Sequence, residues 1–253
     1  MGVTTSHPLL RKLDHFNPLP ETERHRLVEA CQPVRRLAAK EDLIREGDPP
    51  QGVNLLLEGF AFRYKLMPDG RRQILGYFVP GDICDLRVFI LRRMDHSIAA
   101  LTPAQVAVIP GDTIMGLTET FPRITRALWW STLVEEAITR ESLVTLGQRS
   151  ATERLAHLIC ELYHRLAAVG MVRDGGYDFP VTQAELGDTL GLSSVHVNRT
   201  LQELRRQGLI TLRDKDLRIH DLPALEELAI FDPTYLHLGR EGVGQQDRHG
   251  ERV

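Results

Sequence analysis

Cysteine is scarce in this chain: Cys31, Cys84 and Cys160 lie far apart among 253 residues, with no CxxC pair and no even set. That excludes a disulfide framework and leaves reduced, buried thiols as the expectation. No apolar run approaches the roughly 18 residues a membrane span requires. The opening MGVTTSHPLLRKLDHF has no apolar signal core followed by a small-residue cleavage site, and its MG start has no polybasic or second lipid signal beside it. A cytoplasmic protein with no membrane partner is expected. Charge of one sign is also lacking: the net is −3, so any nucleic-acid surface has to be a local patch. P-loop, HExxH, GxSxG and HxxxH patterns are all missing, so neither catalytic residues nor a metal site is expected. Asp82, Asp85 and Asp112 read as turn residues in PGD contexts.

What is present reads as two domains of ordinary size. From Asp42 to about Leu117, short apolar runs are cut by glycine and proline turns, and FAFRYKL alternates as a strand does. Pro68, Asp69 and Gly70 make a hairpin turn, and the whole reads as a β-sandwich or barrel behind a short helical lead, PLPETERHRLVEA. After Pro122 the text changes, because RITRALWWSTLVEEAITRESLVTL carries no glycine or internal proline. One long helix follows. Its Ala127, Trp130, Val134, Ala137 and Val144 step by threes and fours. That pattern suits a seam against a parallel partner, or equally a helix lying on its own β-domain. Ser150 with Glu153 is a capping box for the next helix, which carries a stripe of Leu155, Leu158, Ile159, Leu162 and Leu166. A hinge is expected near Gly147 to Ser150.

The stretch VTQAELGDTLGLSSVHVNRTLQELRRQGLI, Val181 to Ile210, carries the chemistry. Thr182 and Glu185 form another capping box, Gly191 ends that helix and Ser193 caps the next. Val197, Thr200, Leu201 and Leu204 share one face of the second helix, while small Gly187 lets the two helices approach. Two short helices locked at a glycine turn make a helix-turn-helix. From Ser193 to Gly208, three arginines stand against one glutamate, a modest patch that a solvated basic face would also explain. LITLRDKDLRIHDL then alternates about Asp214 and Lys215 as a hairpin, placing Arg213, Lys215 and Arg218 as a wing able to meet a DNA backbone. Asp221 caps a last helix, and the residues from 233 on, poor in apolar side chains, are expected to be a disordered tail.

In this order the sequence resembles the Crp/Fnr family of bacterial transcription regulators, on LIREGDPPQGVNLLLEGFAFRY, YFVPGDICDLRVF and the helix-turn-helix stretch. The resemblance implies an α+β chain: an N-terminal β-jelly-roll of the cyclic-nucleotide-binding type (1–120), a long dimerisation helix (121–147), a C-terminal winged helix-turn-helix domain (148–232) and a tail (233–253). It implies a homodimer that binds double-stranded DNA and works with RNA polymerase. Thr182, Ser193, Ser194, Val195, His196, Asn198, Arg199, Arg213 and Lys215 are the expected DNA-binding residues. Arg199 falls where the family reads a base edge, suited to guanine O6 and N7, and Ser193 where it holds a phosphate. Val195 stands where relatives carry a glutamate that accepts from cytosine, which puts the operator of the well-known members in doubt.

The effector pocket implied by the resemblance comprises Cys84, Asp85, Arg92, Arg93, His96 and Ser97. Relatives that bind cyclic nucleotides have Gly-Glu and Arg-Ser where this chain has Cys84-Asp85 and His96-Ser97. The phosphate therefore loses its bidentate arginine, with Arg92 and Arg93 the nearby substitutes. The chain also lacks an N-terminal cysteine cluster for an iron–sulfur centre, and no histidine follows Cys84 at the spacing of a haem-binding relative. No cofactor is expected, with cAMP, haem and an iron–sulfur cluster all disfavoured. A cAMP-responsive regulator, and a ligand-binding module whose helix-turn-helix serves only protein contacts, remain the alternatives at this point.

Overall fold

The structure is a computed structural model and describes residues 7–86 and 92–239. Two helices, α1 (Pro8–Leu13) and α2 (Glu21–Ala30), lead into eight strands. Strands β1 (Val34–Leu37), β8 (Ala104–Ile109), β3 (Val53–Glu58) and β6 (Ile83–Asp85) form one antiparallel sheet in that order. The second sheet runs β2 (Asp42–Ile44), β7 (Ser97–Ala100), β4 (Ala61–Leu66) and β5 (Arg72–Phe78), also antiparallel. Leu55, Leu56, Ile98, Val106 and Ile109 fill the core between them. The β4–β5 hairpin closes with Gly70 at φ 86°, which a side chain would resist.

Helix α3 (Gly111–Thr120) leads into the long helix α4 (Pro122–Gln148). Ala127, Val134 and Ala137 are buried within this chain, and Trp130 stacks on Phe16 at 5.7 Å. Most of that spacing is covered by the chain's own elements, and only Val144 of the five is exposed. The apolar side chains that α4 turns to solvent are Trp129, Leu133 and Leu143 as well as Val144, with Trp129 at 69% exposure.

The C-terminal half, called the reader below after the role the resemblance implies, begins with α5 (Ala151–Ala168), opened by a Ser150–Glu153 capping box. Then come β9 (Gly176–Asp178), α6 (Gln183–Leu190), α7 (Ser194–Arg206), β10 (Ile210–Arg213), β11 (Asp216–Ile219) and α8 (Leu222–Ala229). The wing is three-stranded, ordered β10-β11-β9, with its hairpin turning on Asp214 and Lys215, both at positive φ. This is the backbone a two-residue hairpin turn demands.

Residues 233 to 239 correct the expected tail. Pro233–Leu236 form a 3-10 helix whose Leu236 is fully buried, the Tyr235 hydroxyl donates to Glu161 at 3.0 Å, and His15 Nδ1 lies 2.9 Å from the Leu238 carbonyl. A single leucine and a tyrosine suffice to dock it, because the long helix α4, α5 and His15 supply the rest of the site. The remainder of that stretch, 240–253, lies outside the described residues.

Sensor and reader share one apolar cluster. Phe62, Ile74 and Tyr77 of the second sheet, with Phe60 just before it, pack with Leu186, Leu190, Leu155 and Leu158 of the reader. Polar contacts flank it. Tyr77 and Thr189 hydroxyls meet at 2.6 Å, Gln73 donates to the Thr189 carbonyl at 3.1 Å, and Arg72 pairs with Asp188 at 2.7 Å while lying over the Phe62 ring. Lys40 pairs with Glu185, the capping residue of α6.

The junction expected to hinge carries a buried arginine. Arg149 is 9% exposed, and its guanidinium donates to Glu141 (2.7 Å), Thr145 Oγ1 (2.9 Å) and the Ala229 and Ile230 carbonyls that end α8. Beside it His157 stacks on Tyr235, and burial together with the Arg149 charge lowers its pKa to about 3. The unfolded chain therefore binds an extra proton here between about pH 3 and the ordinary value of 6.5. Stability should fall as pH drops through that window, by up to about 1.4 kcal/mol per pH unit from this group. His7 and His96 are shifted the same way by burial. Urea midpoints at pH 7 and pH 5 should thus differ less in His157→Leu than in the parent, and an equal difference would remove His157 from the account.

Candidate DNA interface and sensor pocket

Local chemistry sets the helix-turn-helix. The Thr182 hydroxyl accepts from Glu185 N at 3.3 Å while Glu185 accepts from Thr182 N at 2.8 Å, so α6 starts where the sequence predicts. Gly191 ends it at φ 66°, and the Ser193 hydroxyl caps α7 by accepting from His196 N at 3.3 Å. Gly187 is where the two helices nearly touch, because a Cβ there would stand 2.7 Å from the Leu192 carbonyl oxygen. Gly187→Ala should cost about 1–3 kcal/mol by overpacking and tilt α7, lowering both the melting temperature and DNA affinity. Unchanged melting would show that this contact yields without cost.

Val197, Thr200, Leu201 and Leu204 seat α7 in the core. Ser193, Ser194, Val195, His196, Asn198 and Arg199 are all exposed, Val195 at 77%, as are Thr182, Arg213 and Lys215. Asn198 reaches back to Gln183 at 3.5 Å, which joins the leading ends of the two helices. The structure thus brings the leading end of α7 into solvent on a fixed seat, with the unpaired backbone N–H groups of a helix start facing outward. Thr211 and His220, 2.7 Å apart, and Arg218 with Asp216, 3.2 Å apart, brace the wing.

The expected sensor residues divide into two groups. Cys84, Asp85, His96 and Ser97 are buried, whereas Arg92 and Arg93 are exposed. Burial pushes the Cys84 thiol well above its ordinary pKa, the opposite of a reactive thiolate. The Ser97 hydroxyl accepts from Glu46 N at 3.0 Å. His96 Nδ1 lies 2.7 Å from Asp95 and its Nε2 3.8 Å from Asp85; burial, then the Arg63 charge, lowers its pKa. It is therefore a poor stand-in for a phosphate-clamping cation.

Sequence reasoning missed Arg63 and Glu135. Arg63 occupies an inward-facing place on β4, two residues from buried Ala61, where strand alternation calls for an apolar side chain; that mismatch was the available signal. Its guanidinium pairs with Glu135 of α4, donates to the Cys84 carbonyl at 3.1 Å and lies 5.0 Å from the Phe78 ring centre. It borders a cavity of about 370 Å³ between β5, α4 and the reader, lined also by Lys65, Tyr77, His96, Arg154 and His157. Among the described residues, no group of three or more His, Cys, Asp or Glu is placed to hold a metal ion.

Comparison with known proteins agrees with this architecture. Residues 34–121 match the model of the cyclic nucleotide-binding domain, and residues 153–228 that of the Crp-like helix-turn-helix domain. The nitrogen fixation regulation protein FixK of Bradyrhizobium diazoefficiens is 31% identical over 190 residues, covering 75% of this chain and 78% of the relative. The transcriptional activatory protein AadR of Rhodopseudomonas palustris is 28% identical over 224 residues, 88% and 92% of the two chains. The solved structure of FixK2 from Bradyrhizobium japonicum superposes with a TM-score of 0.71 at 24% identity, over 78% of this chain and 96% of that one. With the sensor fold, the exposed recognition helix and these relatives in agreement, the chain belongs to the Crp/Fnr family of transcription regulators and is a DNA-binding regulator rather than an enzyme.

Proposed function

We propose that the chain acts as a homodimer whose two α7 helices enter successive major-groove faces of a near-palindromic site. The observation that carries this reading is the exposed leading end of α7, seated by Val197, Leu201 and Leu204 while Val195, Asn198 and Arg199 point to solvent. Arg199 suits guanine O6 and N7, Val195 a thymine methyl, and His196 and Asn198 base edges. Thr182, Ser193, Ser194, Arg213 and Lys215 lie where phosphates would pass. RNA polymerase is the further partner and the cytoplasm the location, both by family likeness. Selection of bound sites from random duplexes tests the reading, because it should return two half-sites of inverted sequence. Binding that ignores added salt would contradict phosphate contacts through arginine and lysine.

Dimerisation is assigned to the solvent face of α4, where Trp129, Leu133 and Leu143 are exposed in line with an Arg140–Glu136 pair. Leu133→Asp combined with Leu143→Asp should yield a monomer in sedimentation. Affinity for a two-half-site duplex should drop about 100-fold or more, since the second contact is then no longer intramolecular. A dimer that survives both changes would move the interface elsewhere.

A further inference from the structure

The family model that covers the sensor half is described by cyclic nucleotides, yet the described residues do not fit one. A cyclic nucleotide brings a phosphate that needs a cation held ready for it. His96 stands at the clamping place, buried against Asp95 and Asp85, while Arg92 and Arg93 are exposed. Among the described residues, a largely shielded cation beside the pocket is Arg63, and its Nη2 is engaged already.

Its engagement is not casual. Arg63 starts on the second sheet and ends on the long helix, joining β4 to α4 through Glu135, to β6 through the Cys84 carbonyl, and to β5 through the face of Phe78. Both side chains are largely shielded, at 17% and 26% exposure, so each charge relies on the other for what water no longer supplies. An incoming phosphate would have to displace Glu135 to take Arg63 Nη2, and would meet the repulsion of that carboxylate even at Nε, which is buried without a hydrogen-bond partner.

We propose that Arg63 is a built-in occupant of the sensor pocket: with Glu135 it ties the sensor sheet to the long helix, so this chain binds DNA without a nucleotide. The inference rests on the DNA-binding reading above, and it makes Arg63 and Glu135 positioning residues for the helix that carries the dimer face. It also makes Glu135 the gate on Arg63. Neutralising that carboxylate should release the guanidinium to take an anion.

The test uses the full chain, with denaturing mass spectrometry to establish that no nucleotide co-purifies, and a duplex from the site selection. Fluorescence anisotropy should give the same DNA affinity with and without millimolar cAMP or cGMP. A fluorescent cyclic nucleotide should bind Glu135→Gln about tenfold or more tighter than the parent, as a freed guanidinium–phosphate pair would, and Arg63→Met with Glu135→Gln should abolish that gain. Melting curves of all three proteins show that each is folded, and a merely structural pair would not create nucleotide binding when broken. Parent protein that binds DNA only with a nucleotide added, or single and double variants with equal nucleotide affinity, would overturn the proposal. Failure of the parent to bind any duplex would instead sink the DNA-binding assignments on which it rests.

Discussion

Arg165→Met should lower the melting temperature by roughly 6–20 °C, the equivalent of about 3–5 kcal/mol in a chain of this length. Arg165, on α5 of the reader, has three acceptors around an almost dry guanidinium: Asp82 at 2.7 Å, Glu161 at 2.9 Å and the Tyr77 carbonyl at 2.8 Å. Asp82 also takes Lys12 at 2.6 Å and the Val79 N–H at 2.7 Å. Burial alone would raise the Asp82 pKa, but the two cations outweigh it and hold the carboxyl below its ordinary value. Glu161 tips the other way, raised by burial despite Arg165 and Tyr235. Methionine fills the volume of the arginine stem yet leaves both carboxylates buried with less compensation, and that orphaned charge is the main cost. Lys12→Met should cost less, because its side chain is more exposed and Asp82 keeps Arg165. Adding Asp82→Asn to Arg165→Met should cost less than the two single losses combined, since one orphan is removed. Urea denaturation of the four variants decides it, and strict additivity would show that these groups do not act as one network.

That network also marks the limit of what sequence patterning reveals. Capping boxes, the Gly191 turn and the inward leucines of α7 were legible because each is a relation between residues three or four apart. The strands of the sensor were legible from turn residues and alternation. Asp82 was read as a turn residue, and its carboxylate agrees with that, since it accepts from Val79 N three positions back. Its partners Lys12 and Arg165 lie 70 and 83 residues away and leave no periodic trace. The same holds for Lys40 with Glu185, 145 residues apart, and for the apolar cluster that makes sensor and reader one body. On α4 the heptad-like steps were real, and most of them are covered by this chain's own elements. A helix that buries one face and offers another carries two apolar stripes, so spacing alone does not say which stripe meets a partner. The six residues of α1 and the three of β9 were too short to show a period.

The largest functional loss should follow Arg199→Ala. Its side chain is exposed on the second turn of α7, four residues after Val195, so the two project side by side from one face. A bidentate arginine–guanine pair contributes about 1–3 kcal/mol of discrimination, and the dimer proposed above carries the loss at both half-sites. Affinity for the selected site should therefore drop by about 30-fold to 10⁴-fold, while binding to unrelated duplex falls only by the single charge. The fold should be untouched, because no buried group depends on this side chain. Val195→Glu supplies the complementary outcome. A carboxylate in the first turn of α7 suits the helix dipole and can accept from a cytosine amine, whereas valine offers only a methyl contact. The selected half-site should then change at one base pair, with a cytosine, whose amine donates to the new carboxylate, replacing thymine. If Arg199→Ala left sequence preference intact, or Val195→Glu left the selected base unchanged, the leading end of α7 would not be the reading surface, and its exposure would need another partner.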